Sequence, residues 1–204
     1  MTLIYVMDPM CSWCYAFHPQ LKELISRLRP EIEVTCYMGG LAPDNDQPMP
    51  LAMQEALAQT WHSIEQRTGT QFNYDFWTQC QPRRSTYPAC RAVITAEQIS
   101  TGSGMKMTEA IQQAYYQDAK NPSDLDVLID LAATIGLDRQ QFSQQIGSEK
   151  IQQALLEDLS FCQRHGIQGF PFLGLQTDQG LQMINAGYCN QATLLQQCAE
   201  LQLL

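Results

Sequence analysis

Apolar residues recur along this chain in two rhythms. Leu3 to Met7 is a short continuous apolar run ended by Asp8 and Pro9, which reads as a buried strand. From about Cys11 to Leu28 the spacing turns helical, with Leu21, Leu24, Ile25 and Leu28 on one face and Pro30 closing the segment. The stretch EIEVTCYMGG then alternates, so Ile32, Val34, Cys36 and Met38 share one side of a strand that stops at Gly39 and Gly40. Two strands joined by one helix predict a right-handed βαβ unit with parallel strands.

The middle of the chain differs. After the turn-rich LAPDNDQPMP, residues 51–166 carry helical patterns, broken at Gly69, Pro82, Pro88, Gly102 to Gly104, Pro122, Gly136 and Gly147. The clearest helices are 108–119, 123–135 and 148–162, with Ser123 and Ser148 as expected N-caps. Strand character returns after HGIQGFP, at 172–175 and 181–185, with Asp178, Gln179 and Gly180 as the hairpin turn. A last helix over 190–203 buries Leu194, Leu195, Cys198 and Leu201. The sum is an α/β fold: a mixed four-stranded sheet built from 1–48 and 167–204, split by an all-helical insertion, 49–166, between the second and third strands.

Composition narrows the function. The chain has 12 Lys+Arg against 21 Asp+Glu, and that balance argues against nucleic acid or an anionic membrane as partner, since both need a basic face. No apolar run approaches the roughly 18 residues that span a bilayer. The opening MTLIYVMDPMC has no basic n-region and too short an apolar run for a secretory signal, so a cytoplasmic protein is expected. In that compartment thiols stay reduced, and a close pair among the eight cysteines reads as catalytic or metal-binding rather than as a staple.

That pair is Cys11 and Cys14, in DPMCSWCYAFHP. A CxxC that follows a strand and opens a helix places its first sulfur where free backbone N–H groups and the helix dipole favour a thiolate. The second lies one turn in and is placed to attack the first. Cys11 is thus the candidate nucleophile and Cys14 the resolving thiol. Zinc fits poorly, because no second CxxC exists and His18, His62 and His165 are scattered. Pro19 lies inside the predicted helix, where a proline normally costs about 3 kcal/mol. Pro171, in the GFP tripeptide before the third strand, is open to two readings: a strand-initiating proline, or a cis proline that presents the Phe170 backbone beside the dithiol. Asp8 reads as a cap of the strand-to-helix turn in preference to a proton acceptor for Cys14. Trp13, between the cysteines, is expected to offer substrate an apolar contact. Cys36, Cys162 and Cys198 follow apolar stripes and read as core, while Cys90 opens a helix and is ambiguous. Trp61, Tyr74, Phe76 and Trp77 read as the core of the insertion.

The strand–CxxC–helix start, the internal Pro19 and the GFP tripeptide before a hairpin together resemble the thioredoxin superfamily. With the helical insertion the chain is similar to the DsbA family, and DPMCSWC, YPACRA and GFPF resemble its cytoplasmic branch of FrnE-related, predicted protein-disulfide isomerases. The resemblance implies a thioredoxin-like fold and a thiol–disulfide oxidoreductase or isomerase. Cys11 and Cys14 would be catalytic, with Trp13, Phe170 and Pro171 binding substrate and Pro171 the cis proline. It implies no metal and no bound cofactor. The partners are a disulfide-containing protein or peptide, with glutathione or a thioredoxin-type protein as recycling partner. Ser12 and Trp13 replace the histidine-containing dipeptide of the periplasmic oxidases, which tells against a strongly oxidising role. The alternative is a glutathione-dependent transferase or isomerase of the kappa-class or chromene-carboxylate type, whose members typically carry a serine instead of the pair.

Overall fold

A computed structural model describes residues 1–204. In chain order the elements are β1 (Thr2–Met7), α1 (Ser12–Arg27), β2 (Glu33–Met38), α2 (Leu51–Thr68), α3 (Phe76–Gln79), α4 (Tyr87–Ile99), α5 (Ser103–Tyr116), α6 (Leu125–Thr134), α7 (Arg139–Gln145), α8 (Glu149–Arg164), β3 (Phe172–Thr177), β4 (Gly180–Ala186) and α9 (Gln191–Glu200). They form two compact units, one of Met1–Gly39 with Asp158–Leu204, the other of Gly40–Glu157. The mixed four-stranded α/β fold is the expected one.

The first unit holds the sheet, in the order β2-β1-β3-β4. β1 runs parallel to β2, from Thr2 opposite Glu33 to Met7 opposite Met38, and antiparallel to β3, from Thr2 opposite Gln176 to Val6 opposite Phe172. As the inner strand of this trio, β1 is buried on both faces, which is why Leu3 to Met7 is a continuous apolar run without alternation. Side chains leave a strand alternately to either side. Ile4 and Val6 pack with Cys162, Ile167 and Phe172 on one face, whereas Tyr5 meets Phe17 of α1 on the other, ring centroids 6.4 Å apart.

The last turns of α8 belong to this unit. Asp158 Oδ2 accepts the Met38 N–H at 2.9 Å, and Phe161 stacks on Tyr37 at 4.0 Å. The division of the chain therefore falls within α8 and at Gly39/Gly40, against the 166/167 and 48/49 read from sequence.

The second unit is helical, and its aromatic nucleus is Trp61, with the rings of Phe72, Tyr74, Phe76, Trp77, Tyr115 and Tyr116 within 6 Å centroid distance. Two local expectations need correction. Pro88 does not break a helix but sits in the first turn of α4, where its missing N–H has no intrahelical partner to lose. Ser123 does not cap α6: its hydroxyl donates to the Ser85 carbonyl at 2.7 Å, and Asp124 takes the N-cap position. Ser148 does accept from the Ile151 N–H, at 3.4 Å. Cys90 is fully buried within α4. No helix of the chain is long and apolar enough to cross a membrane.

Candidate active site

The turn between β1 and α1 is set by Asp8. Its carboxylate accepts the Met10 N–H at 2.8 Å and its carbonyl accepts the Cys11 N–H at 3.0 Å. Asp8 thus closes the turn without capping the helix, and Cys11 takes the N-cap position, with extended backbone and no side-chain cap bond. The expectation that Asp8 caps the strand-to-helix turn holds, and the N-cap position of the helix itself falls to Cys11.

The two thiols differ in reach. Cys11 is 7% exposed, and Cys14, one turn into α1, is completely buried. They hydrogen-bond to each other. The Cys14 thiol is pushed well up from its ordinary value, first by burial, then by its bond to Cys11 and the charges of Cys11 and Asp8, with a bond from the Asp8 main chain working the other way. Cys14 is therefore protonated around neutrality and sealed from solvent, and the arrangement leaves Cys11 as the sulfur an incoming group meets first.

The Phe170–Pro171 bond is cis, which settles the two readings of Pro171. The Cys11 Sγ–H donates to the Phe170 carbonyl oxygen at 3.8 Å, across 159 residues of sequence. Pro171 is buried, and its own carbonyl accepts the Gly187 N–H at 2.8 Å, which ties the proline to the end of β4. The Phe170 ring lies against Gly39, where a Cβ would overlap its atoms. Beside Phe170 opens a cleft of about 490 Å³, whose walls include His165, Phe172, Leu181, Met183 and Gly187. Trp13 is half-buried, its ring 5.9 Å from that of Tyr188, which in turn sets its edge on Phe17 at 6.4 Å.

Cys11, Cys14, Phe170 and Pro171 are thus brought together, with Trp13 between the cysteines. Sequence reasoning missed Gly39, Tyr188 and Tyr5. The Gly39-Gly40 pair was visible only as a strand stop, and Tyr188 only as an aromatic after a glycine. Cys162 and Cys198 are core, as expected, and burial lifts both thiols to about 11. Cys36, expected to be buried, is half-buried, because β2 lies at the sheet edge. No three His, Cys, Asp or Glu side chains come together so as to hold a metal ion.

A four-stranded mixed sheet with a CxxC at the start of α1 and a cis proline before β3 defines a thioredoxin-like fold. The family model described as DSBA-like thioredoxin domain matches residues 2–196, and the chain belongs to that family. Among solved structures it is similar to a candidate protein disulfide isomerase from Nitrosomonas europaea, with 27% identity, a TM-score of 0.89, and 98% of this chain and 97% of that one covered. It is also similar to the cytosolic disulfide reductase DsbM from Pseudomonas aeruginosa, with 25% identity, a TM-score of 0.82 and both chains covered in full. DsbM has been solved with GSH as well. Among curated proteins it is 25% identical over 182 residues to the ClpXP adapter protein SpxH of Bacillus subtilis, a match of 87% of this chain and 60% of the relative. The chain thus spans about 60% of that relative's length. A 2-hydroxychromene-2-carboxylate isomerase shares the fold alone, at 14% identity.

Proposed function

We propose that this protein is a thiol–disulfide oxidoreductase of the reductase or isomerase kind, acting through Cys11 and Cys14. The observation that carries the reading is the Cys11 sulfur at the helix start, 3.8 Å from the carbonyl of a residue that precedes a cis proline. A Cys11 thiolate attacks one sulfur of a substrate disulfide. The substrate S–S bond breaks, one substrate thiolate leaves and takes up a proton, and a mixed disulfide remains on Cys11. Cys14 then gives up its proton and attacks the Cys11 sulfur. The second substrate thiol departs with that proton, and Cys11 and Cys14 are left as a disulfide. Two equivalents of a thiol such as glutathione return the pair to the dithiol.

The substrate is a protein or peptide disulfide. Trp13, Phe170 and Pro171 contact it, with the Phe170 backbone facing an extended segment. Family membership and the likeness to a disulfide reductase support the chemistry, and the GSH-bound form of that relative supports glutathione as the recycling thiol. The same likeness supports a cytoplasmic setting.

The test is reduction of insulin by catalytic amounts of protein with glutathione as electron donor. Turnover is expected for the unsubstituted chain and none for Cys11→Ser; equal rates in the two would overturn the reading. The rival, a glutathione-dependent transferase or isomerase, has the shared fold of the chromene-carboxylate isomerase behind it. It predicts conjugation of a chromogenic electrophile with glutathione, which the dithiol reading does not.

A further inference from the structure

β1 carries an oddity on the side that faces α1. Tyr5 is 1% exposed, and its fully buried hydroxyl makes no well-formed hydrogen bond, the Cys14 sulfur being the one group placed to pair with it. Leaving a buried hydroxyl unpaired is costly, and a phenylalanine would fill the same space without that cost. The groups that act on the hydroxyl are sulfurs: Cys14, which is placed to hydrogen-bond with it, Cys36 from β2, which lies opposite Tyr5 in the sheet, and Cys11. The ring is steadied by Phe17, one turn beyond Cys14 on α1.

Consider what Cys14 needs. It is completely buried, yet it must carry a negative charge for the moment in which it attacks Cys11. A charge formed in such a place needs donors aimed at it. The Asp8 main chain supplies one hydrogen bond. Against it work the Asp8 carboxylate and the neighbouring Cys11. Burial and the nearby sulfurs hold the Tyr5 hydroxyl well above its ordinary value, so it stays protonated and remains a donor whenever Cys14 ionises.

We propose that Tyr5 is the second donor to the Cys14 sulfur, weakly held while Cys14 is a thiol and fully engaged when Cys14 becomes the thiolate that resolves the mixed disulfide. Tyr5 itself keeps its proton throughout. The proton lost by Cys14 leaves with the departing substrate thiol, and the only bonds exchanged are the S–S bond to substrate broken and the Cys11–Cys14 bond formed. The groups that face this step are Cys11 and Asp8 from the turn before α1, Tyr5 from β1 and Cys36 from β2. The inference rests on Cys14 being the resolving thiol.

The experiment follows the reaction of the reduced full chain with an aromatic disulfide whose thiol is coloured. The first equivalent is released by attack of Cys11, the second by Cys14. Tyr5→Phe should leave the first phase unchanged and slow the second about tenfold near neutral pH, the size expected for one hydrogen bond to a charged sulfur. The difference should close at alkaline pH, once Cys14 is ionised without help. A purely structural role for Tyr5 would not produce that pH dependence. If the second phase of Tyr5→Phe matches that of the unsubstituted protein at every pH, while Cys14→Ser shows no second phase, the proposal is wrong and the Cys14 assignment stands. If Cys14→Ser still releases the second equivalent, both fall. In the unsubstituted protein, the carbon-13 resonance of the Tyr5 ring carbon bearing the hydroxyl should move as Cys14 ionises and be still over that range in Cys14→Ala. A resonance that does not move overturns the proposal without recourse to any variant at Tyr5.

Discussion

The Phe170 ring occupies the space that a side chain at Gly39 would need. Gly39 itself is fixed by its N–H, which donates to the Met7 carbonyl at 2.7 Å. The end of the β1–β2 pair is thereby a seat for Phe170, and the seat sets where the Phe170 carbonyl meets Cys11. Gly39→Ala should push the ring aside and carry the 170–171 peptide with it. Overpacking of this kind costs about 1–3 kcal/mol of stability, and a misplacement near 1 Å at reacting groups can cost on the order of a hundredfold in rate. A fall in disulfide-exchange rate well beyond what the loss of stability explains is expected. Partial recovery is expected in Gly39→Ala/Phe170→Leu, whose smaller side chain clears the added methyl. Equal exchange rates for Gly39→Ala and the parent would show that the seat does not matter.

The buried thiols make the fold sensitive to alkali. Burial, helped by Asp158, lifts Cys162 to about 11, and burial, helped by Cys189, lifts Cys198 to about 11. A cysteine free of such burial ionises near pH 9. Between that pH and about 11 the native state holds protons that the unfolded state has released, so stability is fully present below pH 9 and is lost as pH rises through 11. The loss is on the order of 2 kcal/mol per cysteine. Urea midpoints measured with the thiols kept reduced should fall over this window, and the fall should be smaller in Cys162→Ala. A midpoint that is flat or rises with pH contradicts this.

Much of this was legible in the sequence, and for a physical reason. β1, α1 and the β3–β4 hairpin are each bounded by residues with backbone consequences: Asp8 and Pro9, Pro30, Gly180. Cys11, Cys14 and Pro171 are likewise marked by their local setting. What escaped depends on approach in three dimensions. Gly39 matters because Phe170, far away in sequence, arrives on top of it. Tyr5 looks like one more apolar strand residue until Cys14 is seen beside its hydroxyl. The split of α8 between two units is invisible in its uninterrupted helical pattern. It follows from Phe161 and Asp158 binding to β2.

Redox poise follows from how well the reduced pair holds its charge, because a stabilised thiolate makes a more oxidising disulfide. Ser12 and Trp13 bring no positive charge to Cys11, the Asp8 carboxylate is buried in the turn before it, and the helix N-terminus remains the main stabiliser. The couple is expected between about −270 mV, the thioredoxin value, and about −120 mV, the DsbA value, and nearer the former. Equilibration against glutathione buffers measures it. A potential at or above the DsbA value would make the protein an oxidant and contradict the reductase reading.

The division of labour between Cys11 and Cys14 is the centre of the account, and trapping the mixed disulfide tests it most directly. Reduced protein is mixed with a peptide disulfide, quenched in acid, and examined by intact mass and peptide mapping. Cys14→Ser should accumulate one peptide per chain, linked at Cys11. The unsubstituted protein should pass through the same adduct only briefly, and Cys11→Ser should carry none. An adduct mapped to Cys36, Cys90 or Cys14 while Cys11 stays free would contradict the assignment.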